Sequence, residues 1–407
     1  MVFWQQPFLI VILAYNFLQK MQLLPVSDKA LAKDFLEVPL VIYKNDKNFI
    51  RPLNRDVNDV FDIKKNKAFR FGECIRWILK DKNENLIGRI AAFVNKKYRN
   101  KGDEQLTGGI GFFECINNQE AADLLFDVAK SWLMQRGMEA MDGPINFGER
   151  DRWWGLVVEG FKPPIYLMNY NPPYYVQLFE NYGFKNFYNQ ICWHLFVQTQ
   201  LNERFAEQDK KYNANPEYKV VHIKKTELKK FATDFSIIYN KAWAKHEGNK
   251  ELNKNVAYKM FKTMKPVMDE HLIWYVYHNN VPIAFWVNLP ELNQIFKYLN
   301  GRFDLFAKLK YLWLKRKGIC NKFTGIVFGV IPEYQGKGID YYIIVEGAKV
   351  IQNDKQYNEL ELQWQGDFNP RILNISKNLG ATQSRILATY RYIFDRSKEF
   401  KRHPVLN

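Results

Sequence analysis

The chain has few of the residues that build metal sites and disulfide scaffolds. It contains four cysteines and six histidines among 407 residues. Cys74, Cys115, Cys192 and Cys320 are scattered without C-x-x-C spacing, and the histidines show neither H-E-x-x-H nor H-x-x-x-H. Zinc sites and small disulfide-stapled folds need such spacings. We therefore expect no metal, and a reducing cytoplasm is the simplest interpretation.

Long hydrophobic runs are also scarce. The apolar stretch at residues 8–18 has only 11 residues, whereas a membrane-spanning helix needs about 20. A signal peptide needs a basic start and a small-residue cleavage site, and neither is visible. Because a normal domain start follows at Met21, we interpret residues 1–20 as a mis-called start or a disordered or surface-lying extension. A short membrane anchor is the alternative.

The charge is strongly positive. Lysine and arginine number 59 against 43 acidic residues, which gives a net charge of +16. Such a chain attracts nucleic acid, acidic membrane surfaces or phosphate-bearing cofactors, although lysine-rich codon usage would produce the same excess. The hydrophobic fraction of 47% is globular, and the length favours two domains.

The order of predicted elements occurs twice. A hairpin, strand, helix, strand, helix and strand follow one another in residues 21–197, and the same order returns in residues 218–400. Residues 198–217 are polar and charged, which predicts a linker. We therefore expect two mixed α/β domains built on one architecture.

The segment at residues 326–340, IVFGVIPEYQGKGID, carries the clearest chemistry. An apolar strand ends at Val330, and the glycine loop Gln335–Gly338 opens a helix. Glycines let backbone N–H groups converge at a helix N-terminus, which attracts anions, and Lys337 adds a full charge. The segment is neither a P-loop nor a dinucleotide fingerprint. A plain glycine turn is the structural alternative.

This segment resembles the cofactor motif of the GNAT superfamily of acyl-CoA N-acyltransferases. Gln335 and Gly338 match the motif, whereas Asp340 replaces the usual glycine or alanine and puts a carboxylate near the expected pyrophosphate. Further downstream, Asn369 matches the asparagine of the next motif, and Ser376 stands where the family often has its general-acid tyrosine. The resemblance implies acyl-CoA as co-substrate, held by Gly329, Val330, Ile331, Gln335, Gly336, Lys337, Gly338, Ile339, Asp340 and Asn369.

Other segments, over about residues 30–400, look like a bacterial two-domain GNAT-like group close to bacterial ceramide synthases. They include LPELNQ at 289–294 and the stretch from GPIN at 143 to YGF at 182. The first half resembles a degenerate copy, because no Q-x-x-G-x-G lies between Phe113 and Gln119. We expect it to shape the acceptor side rather than to hold CoA.

In this superfamily an amine attacks the thioester carbonyl directly. The resemblance implies a splayed strand before the cofactor loop and a carboxylate base, for which Glu114, Glu361 and Asp367 are the candidates. A structural or solvated role is the alternative for each. The expected acceptor is an amine, and the aromatic content and the basic helix at 300–317 favour a lipid amine such as that of a sphingoid base.

Two further segments have competing interpretations. Residues 300–317 predict an amphipathic basic helix with Leu305, Phe306, Leu309, Leu312 and Trp313 in one stripe. Either this helix docks on its own sheet with a solvated basic face, or it lies on anionic lipid at the inner membrane face. The loop at 149–154, ERDRWW, either pairs its own charges or lines an acceptor pocket.

Two other functions fit the sequence. Paired GNAT-like domains also form peptidoglycan-bridge ligases that use aminoacyl-tRNA, which the net charge would suit. Those ligases use a degenerate cofactor loop, whereas this loop is largely intact, so we do not expect nucleic acid as partner. A non-catalytic acyl-CoA-binding module is the second alternative, and Asp340 and Ser376 favour it.

Overall fold

The computed structural model describes residues 21–100, 102–243 and 251–406. The interpretation of residues 1–20 as an extension or anchor falls outside these ranges. Among the residues described, none of the helices has the length and apolar character needed to cross a membrane.

The first half follows the predicted order. Asn118 accepts a hydrogen bond from the Ala121 N–H and caps α3, and Gly183 ends α4 with a φ of +105°. The elements are β1 (Met21–Pro25), α1 (Lys29–Ile42), α2 (Asn54–Phe61), β2 (Gly72–Asp81), β3 (Leu86–Asn95), β4 (Thr107–Cys115), α3 (Gln119–Met134), β5 (Ala140–Gly143), β6 (Leu156–Glu159), α4 (Tyr175–Tyr182) and β7 (Lys185–Phe196).

The second half repeats the order of strands and helices, which confirms the mixed α/β architecture. Its elements are α5 (Glu203–Asn213), β8 (Tyr218–His222), α6 (Leu228–Trp243), α7 (Lys254–Met264), β9 (Ile273–His278), β10 (Val281–Pro290), α8 (Asn293–Phe296), α9 (Leu305–Arg316), β11 (Lys322–Val330), α10 (Ile339–Asp354), β12 (Glu359–Gly366), α11 (Pro370–Asn378) and β13 (Thr382–Ile393). Helix α5 lies inside the segment 198–217 that the sequence presented as a linker.

One sheet runs through both halves. Its order is β1-β2-β3-β4-β5-β13-β7-β12-β11-β10-β9-β8, with β6 paired to β13. The last strands of the two halves are exchanged: β7 lies antiparallel to β12 of the second half, and β13 lies antiparallel to β5 of the first. Tyr390 of β13 is accordingly buried in the first half's core.

Candidate active site

Strands β11 and β12 part in the middle of the sheet. They pair in parallel only from Lys322 opposite Glu359 to Gly325 opposite Leu362. Strand β11 then continues to Val330 and β12 to Gly366. A slot therefore opens between the two strands beyond Gly325, and it leads towards the glycine loop.

Some backbone groups at the end of β11 already make hydrogen bonds within the protein. The Ile331 N–H donates to the Ile283 carbonyl at 3.0 Å, so it is already used. Because backbone groups alternate along a strand, the N–H and carbonyl of Val330 point the other way, into the slot. The side-chain amide of Gln335 donates to that Val330 carbonyl at 2.9 Å. The Val330 N–H thus faces the slot, next to the glycine loop.

The geometry of the glycine loop fits the predicted anion cradle. Gly336 and Gly338 have φ values of +72° and +85°, which residues other than glycine rarely adopt. Gly338 is the N-cap of α10 and, having no side chain, makes no capping hydrogen bond to this helix end. The first-turn N–H groups are therefore available to an anion, beside the exposed side chain of Lys337.

Helix α5 forms one wall of the cradle, which sequence reasoning missed. The Tyr212 hydroxyl donates to the Lys337 carbonyl at 2.6 Å. A Cβ on Gly338 would meet Gln208 Oε1 at 2.4 Å, and this buried oxygen has no hydrogen-bond partner within the residues described. With Lys211, these groups line a cavity of about 510 Å³. Buried Phe205 and Tyr212, two helical turns apart, were the available signal for a packed helix.

The unusual Asp340 lies at the cradle itself. Burial raises the pKa of its carboxyl, while hydrogen bonds from the backbone N–H groups of Asp340 and Tyr341 act in the opposite direction. The carboxylate thus lies close to the N–H groups of the first turn of α10, which are the groups that a phosphate would use. A negative charge at this position repels any anion that enters.

An apolar cavity of about 460 Å³ adjoins the slot, between β11, β12, α10 and α11. Asn369, the N-cap of α11, lines it without capping that helix through its side chain. The buried Ser376 hydroxyl, at the position of the family's tyrosine, exchanges hydrogen bonds of 2.8 and 3.0 Å with the Gln365 amide. Most other lining groups are apolar, among them Val197, Leu201, Phe323, Val327, Ile344, Ala348, Ile351, Leu360, Leu362 and Ile375.

The three predicted base candidates lie in different places. Glu361 sits between cavity-lining Leu360 and Leu362 and so points to the opposite face of the sheet, where Arg385 binds it at 2.8 Å. Asp367 follows β12 and accepts a hydrogen bond from Arg402 at 2.8 Å.

Glu114 belongs to a separate network in the first half. Its carboxylate accepts hydrogen bonds from the hydroxyls of Tyr43 and Tyr175, at 2.7 and 2.8 Å, and pairs with Arg89 at 3.3 Å. It lines a small cavity of about 60 Å³ there. The structure therefore does not bring Glu114 to the second-half slot.

Glu291 is a buried carboxyl that the sequence reasoning did not single out, although it stands in the LPELNQ segment. Its Oε1 accepts hydrogen bonds from the backbone N–H groups of Tyr166 and Asn293, and its Oε2 accepts one from the Thr324 hydroxyl at 2.8 Å. Burial raises its pKa to about 7. Thr324 directly precedes Gly325, where the strands part, so Glu291 lies beside the base of the slot.

The corresponding slot of the first half is closed. The Ile145 N–H donates to the Ile110 carbonyl at 2.7 Å, and a Cβ on Gly111 would lie 2.0 Å from the Ile145 oxygen. The backbone after β5 therefore fills the space that is open between β11 and β12. In the charged loop at 149–154, Arg152 pairs with Glu149, and the loop also lines a cavity of about 480 Å³. That this cavity receives the acceptor stays a prediction.

Within the described ranges, no cluster of three or more histidine, cysteine or acidic side chains could hold a metal ion. No protein-family model matches the chain.

The chain has the tandem GNAT fold. A tandem GNAT protein from the clavulanic acid biosynthesis pathway superposes with a TM-score of 0.52 at 9% identity, over 93% of this chain and 100% of that one. A GNAT from Sphaerobacter thermophilus gives 0.51 at 9% identity, over 92% and 96%. The glucosamine N-acetyltransferase region of a fungal multi-domain glucosaminidase gives 0.53 at 12% identity, over 91% of this chain but 38% of that one.

Two curated bacterial proteins are similar in sequence along most of their length. The bacterial ceramide synthase of Caulobacter vibrioides is 24% identical over 91% of this chain and 97% of its own length. Protein YghO of Escherichia coli is 27% identical, over 86% and 89% respectively. The predicted resemblances to the GNAT fold and to a bacterial ceramide synthase are thereby confirmed.

Proposed function

We propose that this protein is an N-acyltransferase that moves a long acyl group from acyl-CoA to the amine of a lipid such as a sphingoid base. The observation that carries the proposal is the slot between β11 and β12, which joins an anion cradle to an apolar cavity of about 460 Å³. A long-chain acyl-CoA has phosphates that suit the anion cradle and an apolar chain that suits the cavity. The similarity to a bacterial ceramide synthase supports the lipid acceptor.

Each end of the thioester has complementary residues. The first-turn N–H groups of α10, with Lys337 and Lys211, would hold the phosphates. The Val330 N–H faces the slot and would bond the pantetheine, so that the thioester lies deeper in the slot, towards Thr324. Apolar side chains around Ala348 would receive the chain, whose burial stabilises the complex by about 0.8 kcal/mol for each methylene.

The reaction needs one proton to move. The neutral amine attacks the thioester carbon, a C–N bond forms, the C–S bond breaks, and the amine proton ends on the departing thiolate. We assign the base to Glu291, because its pKa of about 7 suits proton transfer near neutral pH and it lies beside the base of the slot. Glu361 is the second candidate on the same face of the sheet.

The test is turnover with defined substrates. Purified protein is incubated with palmitoyl-CoA and sphinganine, and both the released CoA thiol and the amide product are measured, the latter by mass spectrometry. Amide formation with the long-chain donor supports the proposal. Thiol release only with acetyl-CoA and polar amines contradicts the lipid assignment, and CoA binding without any product favours the non-catalytic module.

The base assignment has its own measurement. Glu291→Gln should lower kcat/KM and remove an ionisation near pH 7 from its pH profile, whereas Glu291→Asp should retain a shifted ionisation. The matched control is Asp367→Asn, which removes a carboxylate that pairs with Arg402 away from the slot. An unchanged profile in Glu291→Gln would transfer the assignment to Glu361.

A further inference from the structure

Helix α9 turns its large apolar side chains to the solvent. Tyr311, Leu314 and Ala307 on its other side are buried and dock it on the protein. The interpretation in which the apolar stripe of residues 300–317 docks on the sheet is therefore wrong. The exposed row, hereafter the α9 face, consists of Leu305, Phe306, Leu309, Leu312 and Trp313, which are 68, 78, 56, 48 and 53% exposed.

Cations border this face along its length. At about 100° per residue, Lys308 and Lys315 lie along one edge of the row, and Lys310 and Lys317 lie along the other. Arg316 lies within the row near its C-terminal end. No acidic residue occurs between positions 305 and 317. Apolar groups flanked on both sides by cations are the pattern of helices that lie in the headgroup region of anionic membranes.

The helix is held in place before any contact is made. Asp304 caps it by accepting the Ala307 N–H at 3.0 Å. Lys310 donates to the Tyr298 carbonyl at 2.8 Å, and Lys315 donates to the Pro266 carbonyl at 2.9 Å. Because α9 is already folded and anchored, a surface that binds it need not supply the free energy of helix formation.

We propose that the α9 face lies on the surface of an anionic lipid bilayer and attaches the protein to it peripherally. Charge complementarity favours this occupant over two others. A second copy of the face would bring its lysines against these lysines, and residues 1–20 contain no acidic side chain that could pair with them. The proposal stands independently of the proposed function, because it needs no turnover.

Vesicle binding tests the proposal directly. The full chain is mixed with vesicles of phosphatidylcholine alone, or of equal parts phosphatidylcholine and phosphatidylglycerol, and the bound fraction is measured by sedimentation. We expect binding to the anionic vesicles that weakens with added salt. The affinity of the double variant Phe306→Glu/Leu309→Glu for these vesicles should fall by roughly tenfold or more. The control Ile63→Glu, at a lone side chain 71% exposed, should bind as wild type does.

A second measurement locates the contact. Brominated lipids in the anionic vesicles should quench tryptophan fluorescence, and Trp313→Phe should remove most of the quenching measured per bound molecule. Equal binding to neutral vesicles, or undiminished binding of the double variant, would overturn the proposal. The proposal would also be overturned if the wild-type protein self-associates in ultracentrifugation and the double variant does not, since the α9 face would then bind a second copy of the chain. Matching thermal unfolding of all variants excludes misfolding as the cause.

Discussion

At the residue scale, Asp340 is an anion placed where the cofactor's phosphates are expected. Asp340→Ala should remove its repulsion of the phosphates. A charge at a helix terminus contributes about 0.3–1 kcal/mol, so CoA should bind roughly two- to fivefold more tightly. Isothermal titration calorimetry with CoA at low ionic strength measures this gain, which added salt should reduce.

The matched control for Asp340 is Asp354→Ala, because Asp354 lies at the opposite end of the same helix. It should leave the affinity for CoA as it is. If Asp340→Ala binds CoA no better than wild type, the carboxylate does not repel the phosphates.

A second residue-scale prediction concerns pH and Glu291. Folding raises its pKa from 4.5 to about 7. Between these values the folded chain holds a proton that the unfolded chain lacks, so the contribution of Glu291 to the free energy of unfolding falls as pH rises. Glu291→Gln removes this loss and should be more stable than wild type at about pH 8, by up to about 3 kcal/mol. Near pH 4.5 the two proteins should be similar.

Glutamine fits the same contacts. The Tyr166 and Asn293 N–H groups both donate to Oε1, which an amide oxygen replaces, and the Thr324 hydroxyl can accept from the amide nitrogen. Urea unfolding at both pH values measures the difference. Destabilisation of Glu291→Gln at the higher pH would mean that the carboxylate is favoured in the folded chain.

At the scale of elements, α5 supports the cradle through Tyr212. Tyr212→Phe removes the hydrogen bond to the Lys337 carbonyl and should lower the free energy of unfolding by about 1 kcal/mol. CoA binding should weaken as well, because the loop loses its contact with α5. Tyr218→Phe is the control, since Tyr218 lines the same cavity and its hydroxyl makes no hydrogen bond to the described parts of the chain. Equal CoA affinity in both variants would show that α5 does not position the loop.

The cavity between α10 and α11 should determine donor length. Ala348 lines it on α10, and Ala348→Phe would place a ring in the space assigned to the acyl chain. We expect turnover with palmitoyl-CoA to fall by roughly tenfold or more relative to acetyl-CoA. Competition assays with paired donors measure the ratio. A ratio equal to that of the wild type would place the acyl chain elsewhere.

The sequence predicts the local features of the site but not those that depend on distant contacts. The loop with Gln335 and Gly338 is local, so its glycines and the preceding strand revealed it. The α5 wall and Glu291 depend on contacts between residues more than a hundred positions apart, such as Tyr212 with Lys337, which no local pattern contains. For α9, periodicity predicted the two faces of the helix but not which one docks, because Tyr311 and Leu314 also suit a core.

At the scale of the whole molecule, the exchange of β7 and β13 makes each half incomplete without the other. Arg391 of β13 binds buried Asp142 of β5 at 2.7 Å and Asp103 at 2.8 Å. These two acids hold the pKa of Arg391 above its usual value against the effect of burial. The architectural repeat seen in the sequence is therefore real, but the halves share one sheet.

This sharing predicts that the halves do not fold separately. Asp142 is fully buried in the intact chain, and a fragment of residues 21–200 would lack its partner Arg391. Removing one partner of a buried ion pair costs about 3–5 kcal/mol. That loss is comparable with the 5–15 kcal/mol that stabilises a typical domain, and the edges of β5 and β7 would be open besides. We expect fragments 21–200 and 201–406 to be unfolded or aggregated alone, and to form a soluble one-to-one complex when co-expressed. Circular dichroism and gel filtration distinguish these outcomes, and a folded, monomeric 21–200 fragment would show that β13 is dispensable to the first half.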